Sequence, residues 1–259
     1  MARVEFGQVT DAGRVRSNNQ DAIGNWPCND GLLFAVADGV GGNAGGETAS
    51  QLALEVLERG FAEASEKWPT AKKLRRAIQD ANLRIYQMGI TVPELRGMST
   101  TLTATAVVGS SLVTAHVGDC RLLLFRDGKL TQLTKDHTWV AEQVAYGLLS
   151  AAQAQSHRDR HVLSRSLGKE LIVPIDVVST DLQDGDMLLQ CSDGVHGVLP
   201  ETALVAALQE ADPEAGCKQL LERALDAGTR DNLSAQIAVV TDCEPPAPKR
   251  SWWNIRRRG

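Results

Sequence analysis

The sequence predicts an α+β layered sandwich, and three observations lead there. Short β-branched or leucine-rich runs recur along the chain, bounded by glycine and aspartate. Several are joined by turns so tight that the strands they link must be antiparallel. The helical patterns each carry one apolar stripe and are segregated from the strands, which does not suit a βαβ repeat.

The strand-like runs are residues 4–9, 32–37, 101–108, 112–117, 121–125, 130–133, 172–178, 187–191 and 235–240. Asp127-Gly128 is a hairpin signal, and Gly109-Ser110-Ser111 marks a second hairpin. Ala49, Leu52, Ala53, Val56, Leu57, Gly60 and Phe61 follow the i, i+3, i+4, i+7 spacing of a helix. Leu74, Ala77, Ile78, Ala81, Ile85 and Met88 repeat it, with Thr70 as the expected N-cap. A third helix is punctuated by Asp212 as N-cap, Pro213 in its first turn and Gly228 beyond its end. Its apolar face holds Cys217, Leu220, Leu221, Ala224 and Leu225. Residues 134–166 read as a polar, partly helical insertion between strands, a flap. After Asp242 the chain runs Cys-Glu-Pro-Pro-Ala-Pro-Lys, a proline-rich linker outside the fold. The expectation is one domain over residues 1–243, with a linker and a basic Trp/Arg tail over 244–259.

Composition narrows the function classes. The 259 residues are 43% apolar and 23% charged, ordinary for a globular chain. Only 4% are aromatic, so aliphatic residues and alanine must fill the interior. The net charge is −5, but Lys249, Arg250, Arg256, Arg257 and Arg258 follow Glu244 with no acid among them, which leaves about −10 on the rest. An acidic body does not suit nucleic acid. The five cysteines are odd in number and scattered, without a Cys-x-x-Cys pair, which argues against a disulfide framework and a zinc ribbon. Reducing conditions suit them. No apolar run approaches the ~20 residues of a membrane span, and residues 1–10 lack the features of a signal peptide. The expected compartment is the cytoplasm. Trp252-Trp253 with the arginines of the tail is suited to an anionic membrane surface or a partner protein.

Three strand-like runs end in an acid: residues 32–37 in Asp38-Gly39, 112–117 in Gly118-Asp119, and 187–191 in Ser192-Asp193-Gly194. Asp21 lies in a polar stretch after the first strand, and Asp231-Asn232 precedes the last. Carboxylates brought together raise one another's pKa unless a cation neutralises them. Oxygen ligands without cysteine or histidine select magnesium, manganese or calcium over zinc. Two such ions ~3.5–4 Å apart activate a water and stabilise in-line displacement at phosphorus. Asp-Gly is also a common turn dipeptide, and Asp127-Gly128 and Asp184-Gly185 read as plain turns. The segment from Gly39 to Gly46 is glycine-rich and lies between a strand and a helix, yet it lacks the Gly-x-Gly-x-x-Gly spacing, and Asp38 would repel a pyrophosphate.

Taken in order, these segments resemble the metal-dependent protein phosphatase family (PPM, type 2C), in its bacterial branch. Arg16-Ser17-Asn18-Asn19-Gln20-Asp21 is similar to the first family motif, and Phe34-Ala35-Val36-Ala37-Asp38-Gly39-Val40-Gly41-Gly42 to the second. Ser99-Thr100-Thr101, His116-Val117-Gly118-Asp119-Cys120-Arg121, Leu133-Thr134-Lys135-Asp136-His137, residues 163–168 and Cys191-Ser192-Asp193-Gly194 continue the series. Thr229-Arg230-Asp231-Asn232-Leu233-Ser234 closes it, so the likeness covers residues 4–241.

The resemblance implies a four-layer αββα sandwich of two antiparallel sheets flanked by helices. It implies a protein serine/threonine phosphatase that opposes a bacterial Ser/Thr kinase, acting as a monomer on phosphorylated proteins with Mn2+ or Mg2+. Asp38, Asp193 and Asp231 would be the catalytic set: Asp38 bridges two ions with the Gly39 carbonyl on one, while Asp193 and Asp231 hold one directly. Asp21 would order waters on the cluster or ligate the second ion, and Asp119 with Asp193 would support a third, weaker one. Arg16 would bind the substrate phosphate, its planar fork suiting bidentate contact, and Asn232 would brace Asp231. The implied chemistry is direct attack on phosphorus by a metal-bridging hydroxide, without a covalent intermediate. The rival within the fold is an inactive phosphoprotein-binding member, against which the retained acids and Arg16 argue. Two departures stand out: Gln20 replaces the glutamate that often precedes the first motif's aspartate, and Val40 stands where some members carry a histidine proposed as general acid. His137, His157 and His161, in or near the flap, are then candidates for protonating the leaving group.

Overall fold

The computed structural model describes residues 3–28, 31–41 and 45–243. The linker and basic tail expected over 244–259 lie outside the described residues, as do positions 42–44 of the glycine-rich turn.

One sheet contains β1 (Arg3–Asp11), β7 (Arg121–Arg126), β8 (Lys129–Gln132), β10 (Met187–Cys191) and β11 (Leu233–Thr241), in the order β1-β11-β10-β7-β8. The other contains β2 (Asp21–Cys28), β3 (Gly31–Val40), β5 (Leu102–Val108), β6 (Ser111–Val117) and β9 (Asp176–Asp181), in the order β2-β3-β5-β6-β9, with the short β4 (Ser99–Thr100) beside the end of β3. Every ladder is antiparallel. Both predicted hairpin turns form, with Gly109 and the Asp127-Gly128 pair at positive φ.

Period-two alternation explains the layers. In the second sheet Leu33, Ala35, Leu102, Ala104, Val113 and Ala115 point outward. They pack under α1 (Gly45–Ala62) and α2 (Thr70–Thr91), whose stripes Ala49, Ala53, Leu57 and Leu74, Ile78, Ile85 meet them. In the first sheet Leu189, Ala235 and Ile237 point outward beneath α5 (Asp193–His196), α6 (Glu201–Leu208) and α7 (Pro213–Asp226). The predicted αββα sandwich is therefore the observed one.

The intervening residues form the layer between the sheets, which changes character along its length. At one end it is apolar, with Phe34, Val107, Leu112, Leu124, Leu188 and Val240. Toward the other end it is polar and buried. There Gln190 donates to the Thr103 carbonyl (3.1 Å) and accepts from the Thr105 hydroxyl (2.6 Å), and Gln236 donates to the Gly24 carbonyl (3.0 Å). These amides tie one sheet to the other.

Several local expectations need correction. β2 was not foreseen, because Asp21 was assigned to a polar stretch; Gly24 and Pro27 obscure its alternation, and as an edge strand it tolerates proline. β9 is shifted from 172–178 to Asp176–Asp181, since Pro174 cannot donate to a ladder and Ile172 is exposed. Pro69, not Thr70, occupies the N-cap of α2, without a side-chain cap. α6 was missed because Ala203, Leu204, Val205, Ala206, Ala207 and Leu208 form an apolar run without helical contrast. The flap is present and partly helical, with α3 (Trp139–Ala145) capped by Thr138 and α4 (Ala151–Ser156) by a Ser150 capping box.

His116, expected in the core, is buried between the sheets, with Nε2–H donating to the Lys135 carbonyl (3.0 Å) and Nδ1 2.8 Å from the Thr103 hydroxyl. Burial, reinforced by His137, pushes its pKa down to about 4. A histidine depressed on folding stabilises fully above its unfolded pKa, and that contribution is lost as pH falls toward the folded value. Denaturant titrations of wild type and His116→Gln should therefore converge on acidification. The wild type should lose roughly 3 kcal/mol relative to the variant between pH 7 and 4; a constant difference would refute the assignment.

Candidate metal centre and active site

The polar end of the sandwich is where the acid-terminated strands meet. β3 delivers Asp38, and Asp21 stands directly opposite it on β2. β10 runs through Ser192 into Asp193, the first residue of α5. Asp119 follows β6 by two residues and Asp231 precedes β11 by two. Asp38 senses the charges of Asp21, Asp193, Asp119 and Asp231, so the five predicted acids share one field.

Close backbone approach makes this convergence possible. A Cβ on Gly39 would collide with the Gly46 carbonyl, and one on Gly194 with the Asn232 carbonyl. Glycine at these two positions lets α1 and α5 close on the strand ends. The Asp38 backbone is clamped by Thr101, whose hydroxyl accepts from the Asp38 N–H (2.9 Å) and whose own N–H donates to the Asp38 carbonyl (2.8 Å). Asn232 ties the segment before β2 to the start of β11: its side chain accepts from Gln20 N–H and donates to the carbonyls of Ala12 and Asn18, each at 2.9 Å. Gln20, the departure in the first motif, donates to the Gly41 carbonyl (3.2 Å) and so faces the turn after β3.

Electrostatics separate the acids. Burial, and then the charges of the other acids, holds Asp38 well above the usual carboxylate range. Asp119 is raised in the same way, by burial and then by Asp193 and Asp136. Asp21 is raised by burial despite the Ser192 hydroxyl donating to it at 2.7 Å. Burial works to raise Asp193 too, but its contact with His161 Nδ1 (3.3 Å), with other nearby cations, outweighs that and holds it low. The Arg16 guanidinium donates to Asp231 at 2.8 Å with half its side chain exposed. A cavity of about 220 Å³ opens here, walled by Arg16, Asp38, Asp119, Asp231 and His161.

A cation would resolve this strain. The donor set is oxygen only, which fits hard divalent ions. Among the described residues no three acidic, histidine or cysteine side chains close on one point as a complete cage. A cysteine nucleophile is excluded. Cys120 and Cys191 are buried, and burial pushes Cys191 up to about 12 and raises Cys120 far above an ordinary thiol.

Of the three flap histidines only His161 reaches the acids. His137 is buried at the flap base, where its Nδ1 accepts from Gly118 N–H (3.0 Å), and His157 lies against Trp139. Two contributors escaped the sequence reading. Ser192 ties Asp21 of one sheet to β10 of the other, and His196 Nε2 donates to the Asp119 carbonyl at 2.9 Å. Both flank Asp193, but nothing local to the sequence reports their distant partners.

The sequence profile of protein phosphatase 2C matches residues 11–239. The chain is 36% identical over 246 residues to the serine/threonine protein phosphatase PstP of Mycobacterium tuberculosis, covering 93% of this chain and 47% of that protein. It thus spans about half the length of that relative. It is 37% identical over 204 residues to the serine/threonine phosphatase stp of Listeria welshimeri, covering 75% of this chain and 79% of the relative. The crystal structure of the PstP catalytic domain in complex with two manganese ions superposes with a TM-score of 0.83 at 33% identity, covering 93% of this chain and all of that one. With the profile spanning most of the fold and five acids meeting where its strands end, the chain belongs to the protein phosphatase 2C family.

Proposed function

We propose that this chain is a metal-dependent protein serine/threonine phosphatase, hydrolysing phosphoserine and phosphothreonine in other proteins and opposing a bacterial Ser/Thr kinase in signalling. The observation that carries the reading is the meeting of Asp21, Asp38, Asp119, Asp193 and Asp231 beside Arg16 at one end of the sandwich. An inactive phosphoprotein-binding protein would have no use for so many mutually repelling acids at one place. The catalytic unit is residues 1–243, monomeric, with 244–259 an appended linker and a tail for membrane or partner contact. Five free cysteines suit the cytoplasm. Among the described residues no helix is long and apolar enough to cross a membrane.

Two Mn2+ or Mg2+ ions would be held by Asp38 with the Gly39 carbonyl, Asp193, Asp231 and Asp21, and a third by Asp119 with Asp193. Bound ions would supply Lewis acidity, activating water and neutralising charge on the phosphoryl group. The chain's residues do the rest. Arg16, half exposed and already turned toward the acids, offers its guanidinium fork to the phosphate oxygens. Ser192 holds the Asp21 carboxylate and Thr101 the Asp38 backbone. Val40 leaves no donor on the β3 side of the cleft, whereas His161 projects from the flap onto Asp193 and is the histidine nearest a leaving group.

Two mutational outcomes follow for turnover of p-nitrophenyl phosphate with Mn2+. Asp38→Ala and Asp193→Ala should each abolish metal-dependent turnover, and full activity in both would refute the site. Arg16→Ala should lower kcat/KM about 10- to 100-fold, the value of a charge-assisted hydrogen bond of ~1.5–3 kcal/mol. Metal binding must also expel protons from acids whose pKa values stand high. Calorimetric titration of Mn2+ in buffers of different ionisation enthalpy should show proton release, with affinity rising as pH rises. Buffer-independent heats would contradict the raised carboxyl groups.

A further inference from the structure

A cavity of about 600 Å³ opens where α1 ends, α2 begins and β3 starts. β3 runs from this end of the sandwich to Asp38 at the other, and neither the five acids nor Arg16 borders the cavity. Trp26, Phe61 and Trp68 line it. Aromatic residues are 4% of the chain, so three at one cavity are a local concentration. Both tryptophans are partly exposed, which leaves ring surface open to water. Glu58 and Glu66, both exposed, stand beside it with Lys73.

We propose that this cavity is the docking site of the chain's own tail, with Trp252-Trp253 seated among Trp26, Phe61 and Trp68. Those two residues lie outside the described ones; position, reach, ring chemistry and charge each single them out. The chain passes out of the described residues at this same end. Cys243, after β11, joins the apolar cluster between the sheets that includes Val107, and the next residue of β5, Val108, lines the cavity. Trp252 follows Cys243 by nine residues, which span ~30 Å when extended at ~3.3–3.6 Å each. Stacked sheets lie ~10 Å apart, so passing from the layer between them to the outer face of the second needs far less. Pro245, Pro246 and Pro248 favour an extended path. Aromatic rings attract one another beyond their buried area, in offset or edge-to-face contact. Lys249, Arg250, Arg256, Arg257 and Arg258 bring +5 to a body of about −10, and at the cavity Glu58 and Glu66 outnumber Lys73. The Lys72 ammonium already lies 3.9 Å from the Trp68 ring centre, a cation–π contact that the tail's arginines can also make. Membrane or partner contact by the tail then requires that it first undock.

Cys28 reports on occupancy, because it lines the cavity and is half-buried whereas the other four cysteines are buried. The experiment follows alkylation of each cysteine of the full chain by iodoacetamide, read by mass spectrometry. A short tether gives an effective concentration on the order of 1 mM, so a contact as weak as ~0.1 mM keeps about nine-tenths of the molecules docked. Trp252→Ala/Trp253→Ala should therefore raise the Cys28 rate about tenfold. The four buried cysteines should not change, which separates undocking from unfolding. Glu58→Lys/Glu66→Lys, at two exposed positions, should raise the Cys28 rate severalfold, and salt should do so in wild type but not in the tail variant. Protection that survives dilution marks the chain's own tail. Protection lost on dilution would mean the tail of a second copy, and would overturn docking within one chain. Equal Cys28 rates in wild type and the tail variant would overturn the proposal altogether, and tail-dependent binding to phosphatidylserine vesicles alongside them would assign the tail to membranes instead.

Discussion

Asp21 and Asp38 face each other across the β2–β3 ladder, a buried acid and a half-buried one at directly paired positions. Like charges so placed oppose strand pairing, and burial adds the cost of removing each carboxylate from water. Asp119, Asp193 and Asp231 enlarge the problem. The described residues offer partial relief, among them a serine hydroxyl on Asp21, a histidine on Asp193, the Arg16 guanidinium on Asp231 and the charge of Arg121 near Asp119. Such an arrangement is stable in proportion to the positive charge that joins it. That is why the raised carboxyl groups are better understood as prepared ligands than as structural acids.

The sandwich is built to present this end. Between the sheets, the apolar layer around Phe34, Leu112 and Leu188 gives way to threonine, glutamine, histidine and serine as the acids are approached. The polar portion does not lack partners, because Gln190, Gln236, Thr103 and Thr105 satisfy one another. A fully satisfied buried network costs little and fixes geometry, whereas a loose apolar seam would let one sheet slide on the other. Since Asp21 and Asp38 lie on one sheet and Asp193 and Asp231 adjoin strand ends of the other, that alignment sets the spacing of the whole site.

The flap is joined to the site at its base. His137 accepts from the Gly118 N–H beside Asp119, and Thr138 and Trp139 pair with the returning strand at residues 162–163. Asp176 on β9 holds Arg165 at 3.0 Å and lies 3.2 Å from His137. The base of the flap therefore packs against the loop that carries Asp119. His161 returns from the flap to Asp193, and a cavity of about 540 Å³ lies between flap and core.

Much of this was legible beforehand. Runs such as 32–37 and 187–191 are short, apolar and lead into an acid, and both properties are local. Stripes such as Leu74, Ile78 and Ile85 are likewise local, so α1, α2 and α7 could be read directly. The limits were physical. β2 hid behind Gly24 and Pro27, β9 began after Pro174, and α6 lacked polar contrast. By itself the sequence determined which residues face the same way along a strand or helix, and which acids stand at strand ends. Tertiary structure alone decided that Asp21 pairs with Asp38, that Ser192 reaches Asp21 and that His161 reaches Asp193. Those pairings span 17, 171 and 32 residues of chain. They depend on sheet order, register and inter-sheet packing, none of which has a repeating signal within a single segment.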